Sequence, residues 1–81
     1  MPHHIILYSK PGCHLCEIAY QLLQGLQREF DLTVQETDIT VDPVLFEKYR
    51  DKIPVALVDG HVTLSAPIRL ADVRAALLNQ R

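Results

Sequence analysis

Cys13 and Cys16 are the only cysteines in the chain, separated by His14 and Leu15. Two thiols at this spacing can pass between dithiol and disulfide within one chain, or can supply half of a tetrahedral metal site. Their placement favours the first. The pair follows an apolar run, Ile5-Ile6-Leu7-Tyr8, and a break, Ser9-Lys10-Pro11-Gly12, and it opens a long amphipathic pattern. A helix beginning at or just after Cys13 has first-turn N–H groups without intrahelical partners, which together carry about half a unit of positive charge. That field favours a thiolate, the attacking species in thiol–disulfide exchange. Cys13 is therefore expected to be the nucleophile. Cys16, nearly one turn further on, is expected to close back onto it.

Each of these residues also has a bland reading. Free cysteines are often small buried hydrophobes. A zinc site would need a second half, but His3, His4, His14 and His61 show no paired ligand spacing and there is no second Cys-x-x-Cys, so no metal is expected. A protonated His14 would add to thiolate stabilisation, whereas a histidine at a helix start is more often merely exposed. Lys10, three residues before Cys13, is near enough to stabilise the thiolate; the alternative is a solvated loop lysine.

At 81 residues the chain has the length of a single domain, 1–81, that needs no disulfide staple. Hydrophobic residues make up 48% and charged residues 22%, ordinary globular usage. A formal charge of −2 gives no electrostatic footprint for nucleic acid or an anionic membrane. The apolar run after Met1-Pro2-His3-His4 is too short for a signal segment or a membrane span, so a cytoplasmic location is expected. In that compartment thiols are kept reduced, and a cysteine pair is catalytic or metal-binding more often than structural.

The elements that must position the pair follow from periodicity. Ile5–Tyr8 reads as a strand covered on both faces. Leu15, Ile18, Ala19, Leu22, Leu23, Leu26 and Phe30 keep the rhythm of one helix face and are expected in the core. Leu32 to Ile39 mixes β-branched and polar residues, as on a strand near a sheet edge. Asp42-Pro43 reads as an N-cap and first helical residue, opening a short helix with Leu45, Phe46 and Tyr49 inward. Val55–Val58, Asp59-Gly60 and Val62–Leu64 predict a hairpin with a two-residue turn. A last helix follows, with Pro67 near its start and Leu70, Val73, Leu77 and Leu78 as its apolar stripe. The first two strands and the helix between them make a right-handed parallel βαβ unit, to which the hairpin adds an antiparallel half.

This order, with the segment Tyr8-Ser9-Lys10-Pro11-Gly12-Cys13-His14-Leu15-Cys16, resembles the glutaredoxins and, more broadly, the thioredoxin superfamily. The resemblance covers nearly the whole chain. It implies an α/β fold of the thioredoxin-like, glutaredoxin type, βαβαββα, with a four-stranded mixed sheet flanked by three helices. The strand order would be second, first, third, fourth, with the first and last helices on one face and the middle helix on the other. Ile53-Pro54-Val55 matches the superfamily's cis-proline loop; the resemblance implies a cis Pro54 and an Ile53 backbone whose N–H and C=O are free to pair with an extended substrate. It also implies that Lys10 meets a carboxylate of a glutathione-like substrate.

The sequence departs from the glutaredoxin pattern at three places. His14 and Leu15 replace the usual proline and tyrosine between the cysteines, and Lys52-Ile53-Pro54 replaces Thr-Val-Pro. The paired-glycine segment with aspartate that clamps the γ-glutamyl end of glutathione is replaced by Leu64-Ser65-Ala66-Pro67-Ile68-Arg69. Thioredoxins are a poorer match, with Leu7 where they carry a buried aspartate. The reading is a small monomeric cytoplasmic thiol–disulfide oxidoreductase with no resident cofactor and glutathione at most a weak co-substrate. Its partners would be a disulfide-containing protein or small thiol and a thioredoxin-type reductant. The alternatives are a metal-binding or metal-delivery module using the same thiols, and a non-catalytic interaction domain on the same fold.

Overall fold

The computed structural model describes residues 2–79; Met1, Gln80 and Arg81, which the single-domain reading includes, lie outside the described residues. The elements are β1 (His3–Ser9), α1 (His14–Gly25), β2 (Leu32–Asp38), α2 (Pro43–Tyr49), β3 (Val55–Val58), β4 (Val62–Ser65) and α3 (Leu70–Leu78), with 3-10 turns at Leu26–Arg28 and Ile39–Val41. The sheet order is β2-β1-β3-β4, as the resemblance implies. β1 pairs parallel with β2 from His3↔Leu32 to Ser9↔Asp38, and antiparallel with β3 from Ile5↔Val58 to Tyr8↔Val55. β1 is thus a central strand, and the residues that follow it emerge at the middle of one sheet edge.

Strand alternation sorts the two faces. Ile5 and Leu7 share a face with Ala56, Val58 and Leu32, and there they pack with Ala19, Leu23 and Leu26 of α1 and its 3-10 extension and with Val73, Ala76 and Leu77 of α3. Tyr8, on the opposite face, stacks its ring on Tyr49 of α2. The first and last helices therefore cover one face and the middle helix the other. The expectation that β1 is covered on both faces holds for only one: Ile6 and Tyr8 are half-buried, and the helix that meets Tyr8 has only seven residues.

Three apolar expectations are corrected. Leu15 and Ile18 are 61% and 46% exposed, since the first turn of the α1 stripe faces an open groove and only its later turns meet the sheet. Phe30 lies beyond the helix, which gives way to a 3-10 turn after Gly25, but it still packs against the core as expected. In α3 the buried stripe is Val73, Ala76 and Leu77; Leu70 begins the helix at its exposed end, and Leu78, one position past Leu77, turns into solvent. Phe46 likewise sits one position off the half-buried pair Leu45 and Tyr49, under the Arg50 guanidinium.

Local chemistry explains the caps and turns. Asp42 accepts the Val44 N–H at 2.9 Å ahead of Pro43, as its type and position predict. The hairpin loop holds three residues, because β3 and β4 pair as Val58↔Val62 and leave His61 outside the ladder. Asp59 and Gly60 both take positive φ, 52° and 72°, the backbone an Asp-Gly pair supplies most readily.

Candidate active site

The turn after β1 delivers the cysteines to the start of α1. Gly12 takes a φ of 77°, which glycine adopts at no steric cost, and the Cys13 N–H donates to the Lys10 carbonyl at 3.4 Å. Cys13 is extended and is the N-cap of α1, its sulfur standing where a serine or aspartate oxygen would. Sγ of Cys13 accepts the Cys16 N–H at 3.2 Å, so an orphan donor of the helix terminus points at this atom. The two cysteines are joined as a disulfide with Cα atoms 5.2 Å apart. Cys13 is partly exposed, whereas Cys16 is 1% exposed. A solvent-borne group can reach one sulfur and not the other.

Two hollows flank the pair. One, of about 300 Å³, has a mixed lining of Ser9, Lys10, Pro11, Gly12, Glu17, Glu36 and Asp38, four of them charged. Ser9 is buried there and donates from its hydroxyl to Glu36 across to β2 at 2.9 Å, tying the root of the cysteine turn to the neighbouring strand. Lys10 thus stands among three carboxylates. The other hollow, of about 360 Å³, is apolar and runs between Leu15, Ile18 and Ala19 of α1, Pro54, and the stretch Ala66, Pro67 and Ile68. Lys10 does not line it.

Ile53-Pro54 is cis, as the resemblance implies, and so is Ala66-Pro67, for which the sequence offered no signal beyond the proline itself. Pro54 is buried beneath the groove and Ile53 is half-buried beside it. One expectation fails here. The Ile53 N–H is not free, because it donates to the Tyr49 carbonyl at 3.1 Å, alongside the Lys52 N–H at 2.8 Å. The last carbonyls of a helix lack intrahelical partners, and that of Tyr49 takes both donors of the following turn. Of the two Ile53 backbone groups expected to meet a substrate, the N–H is thus engaged within the chain.

His14 is the first residue of α1 and is exposed, one position past Cys13. Among the described residues no group of three or more His, Cys, Asp or Glu side chains is arranged to hold a metal ion. No described helix is long and apolar enough to cross a membrane. At the far end of β1, Asp59 receives His3 Nδ1 and the His4 N–H, each at 2.7 Å. Burial pushes the Asp59 carboxyl up, but those two hydrogen bonds and the charges of His3 and His61 outweigh it and hold the group below its ordinary value.

Residues sequence reasoning missed are those of the groove wall. Ala66, Pro67 and Ile68 form a side of it, and Leu15 and Ile18, assigned to the core by their spacing, form another. An apolar residue on the stripe of a helix's first turn carries no mark that distinguishes an open groove from a covered core.

Residues 4–78 match the sequence family described as Glutaredoxin-like domain (DUF836). No curated protein matches the chain significantly. Among solved structures, the fold is similar to that of target protein XcR50 from X. campestris, with a TM-score of 0.80, 25% identity, and 95% of this chain and 99% of that one covered. It is also similar to protein Ne2328 from Nitrosomonas europaea, with a TM-score of 0.79, 27% identity, and coverage of 95% and 92%. With a family match over nearly its whole length and a Cys-x-x-Cys pair at the head of α1, the chain belongs to the glutaredoxin-like domain family and has the thiol pair for a redox role at that level.

Proposed function

We propose that the protein is a thiol–disulfide oxidoreductase in which Cys13 attacks and Cys16 resolves. The observation that carries this reading is the asymmetry of the pair: an accessible N-cap sulfur that accepts a helix-terminal N–H, over a second sulfur that is buried. In the reduced protein the Cys13 thiolate attacks one sulfur of a substrate disulfide. That S–S bond breaks, a mixed disulfide forms, and the leaving sulfur takes a proton. The Cys16 thiol then loses its proton and attacks Cys13, releasing the second substrate thiol and leaving the intramolecular disulfide. Two electrons have passed from the dithiol to the substrate.

Polypeptide disulfides fit the surroundings better than glutathione. The stretch Ala66-Pro67-Ile68 supplies an apolar wall and no side chain for the charged γ-glutamyl end, whose charge-assisted hydrogen bonds are worth about 1.5 to 3 kcal/mol each. Lys10 shares its hollow with Glu17, Glu36 and Asp38, which blunt its attraction for a carboxylate. A protein dithiol of the thioredoxin type is the matching reductant, and a cytoplasmic location suits a pair that must be reduced again after each turnover.

A redox titration with mass spectrometry and a coupled turnover assay test the reading together. We expect a Cys13–Cys16 couple within the superfamily's span of about −270 to −120 mV. We also expect faster exchange with a polypeptide disulfide and thioredoxin-type reductase than in a glutathione-coupled assay. Failure to form the disulfide under mild oxidants, together with one tightly held zinc per chain, would replace this reading with the metal module. Glutathione-dependent turnover equal to that of a dithiol glutaredoxin run alongside would overturn the choice of donor.

A further inference from the structure

The seven-residue helix α2 is too short to be stable alone, and none of its side chains is fully buried. It meets the sheet through an aromatic pair. The ring of Tyr49, its last residue, lies on that of Tyr8 with centroids 4.5 Å apart and planes 19° from parallel. Tyr8 in turn pairs through its backbone with Val55, the residue that follows Pro54. The carbonyl of the same Tyr49 holds the N–H groups of Lys52 and Ile53, the residues that precede Pro54. Pro54 is therefore bracketed on both sides by attachments that lead back to one tyrosine pair. Tyr8 also lies in the strand that runs straight into the cysteine turn, one residue before Ser9.

We propose that Tyr49 is the positioning residue of the substrate-facing loop: its ring on Tyr8 and its carbonyl on the Ile53 N–H hold Ile53-Pro54 at a fixed distance from the Cys13–Cys16 pair. The inference rests on the thiol–disulfide reading above for its kinetic consequence and on the hydrogen bonds alone for its structural one. Tyr49 touches no reacting atom. It acts on how well a substrate is seated and leaves the acidity of Cys13 alone, since the helix terminus that sets that acidity belongs to α1.

The test compares Tyr49→Leu with Tyr49→Phe, which keeps the ring. Both are confirmed as folded by circular dichroism, and Tyr49→Met, equally without a ring, is used where the leucine variant folds poorly. In Tyr49→Leu, KM for a polypeptide disulfide should rise roughly threefold to tenfold, the fold-change that one aromatic pair carries, with kcat and the pH profile of Cys13 alkylation unchanged. Hydrogen exchange at the Ile53 amide should accelerate by a similar factor while the amides of α1 keep their rates. Tyr49→Phe should restore both readouts. An Ile53 amide as protected in Tyr49→Leu as in the native protein overturns the proposal, and so does a KM that stays put or a fall confined to kcat. If the native protein turns over no disulfide, the functional reading fails, yet the Ile53 amide still decides whether Tyr49 holds the loop.

Discussion

Replacing Asp59 by asparagine measures the latch at the end of the molecule remote from the cysteines. Asp59 accepts two hydrogen bonds of 2.7 Å, from His3 Nδ1 and the His4 N–H, and the His3 and Asp59 side chains are 17% and 18% exposed. Asparagine tolerates the positive φ of this turn and can still accept the His4 N–H through its amide oxygen. What it loses is the difference between a charged and a neutral acceptor, about 1 kcal/mol at neutral pH. In a domain of this size that corresponds to a fall in Tm of about 4 to 8 °C. The folded-state carboxyl is held below its ordinary value of 3.8, so its contribution is fully present above that value and is lost as pH falls through the lowered one. Urea unfolding of the native protein and Asp59→Asn, both kept oxidised, from pH 6 to pH 2 is the assay. The stability gap should be steady at the upper end and close at the acid end. A gap that stays constant to pH 2, or widens on acidification, would refute the assignment of this stability to the ionised Asp59.

Further outcomes concern the site. Cys16→Ser should trap a mixed disulfide on Cys13 that mass spectrometry detects, whereas Cys13→Ser should trap none; alkylation that labels Cys16 first in the reduced protein would reverse the roles. Ile18→Glu places a charge in a groove whose lining carries none, and should raise KM for a polypeptide disulfide about tenfold or more while leaving the redox potential in place. A shifted potential with unchanged KM would show that the groove does not seat the substrate.

The parts of the fold legible in the sequence were those governed by strong local rules. Asp42-Pro43 announces a helix start because capping and a fixed φ act over two residues, and Asp59-Gly60 announces a hairpin because few other pairs accept two positive φ values. A helix start at or just after Cys13 was legible for the same reason, from a strand-length run and a turn placed just before a helical stripe. What stayed hidden depends on tertiary neighbours. The spacing of Leu15 and Ile18 is that of a buried stripe, and only the lack of an element opposite them makes them a groove wall. The engagement of the Ile53 N–H depends on where a helix carbonyl ends up after the chain turns, which no residue type encodes. The extra loop residue, His61, belongs to the strand register and has no composition of its own to reveal it.

The burial of Cys16 has a consequence for damage. A peroxide arriving from solvent meets a single sulfur, and oxidation of the Cys13 thiolate yields a sulfenic acid. The Cys16 thiol, already beneath it, condenses with that group to give the disulfide and water. A second oxidation, to the irreversible sulfinic acid, would need another peroxide to collide with Cys13 before that condensation. The inner sulfur is thus a ratchet: it stays out of reach of the oxidant and halts its partner on the reversible rung, leaving a disulfide that a dithiol of sufficiently low potential can reduce.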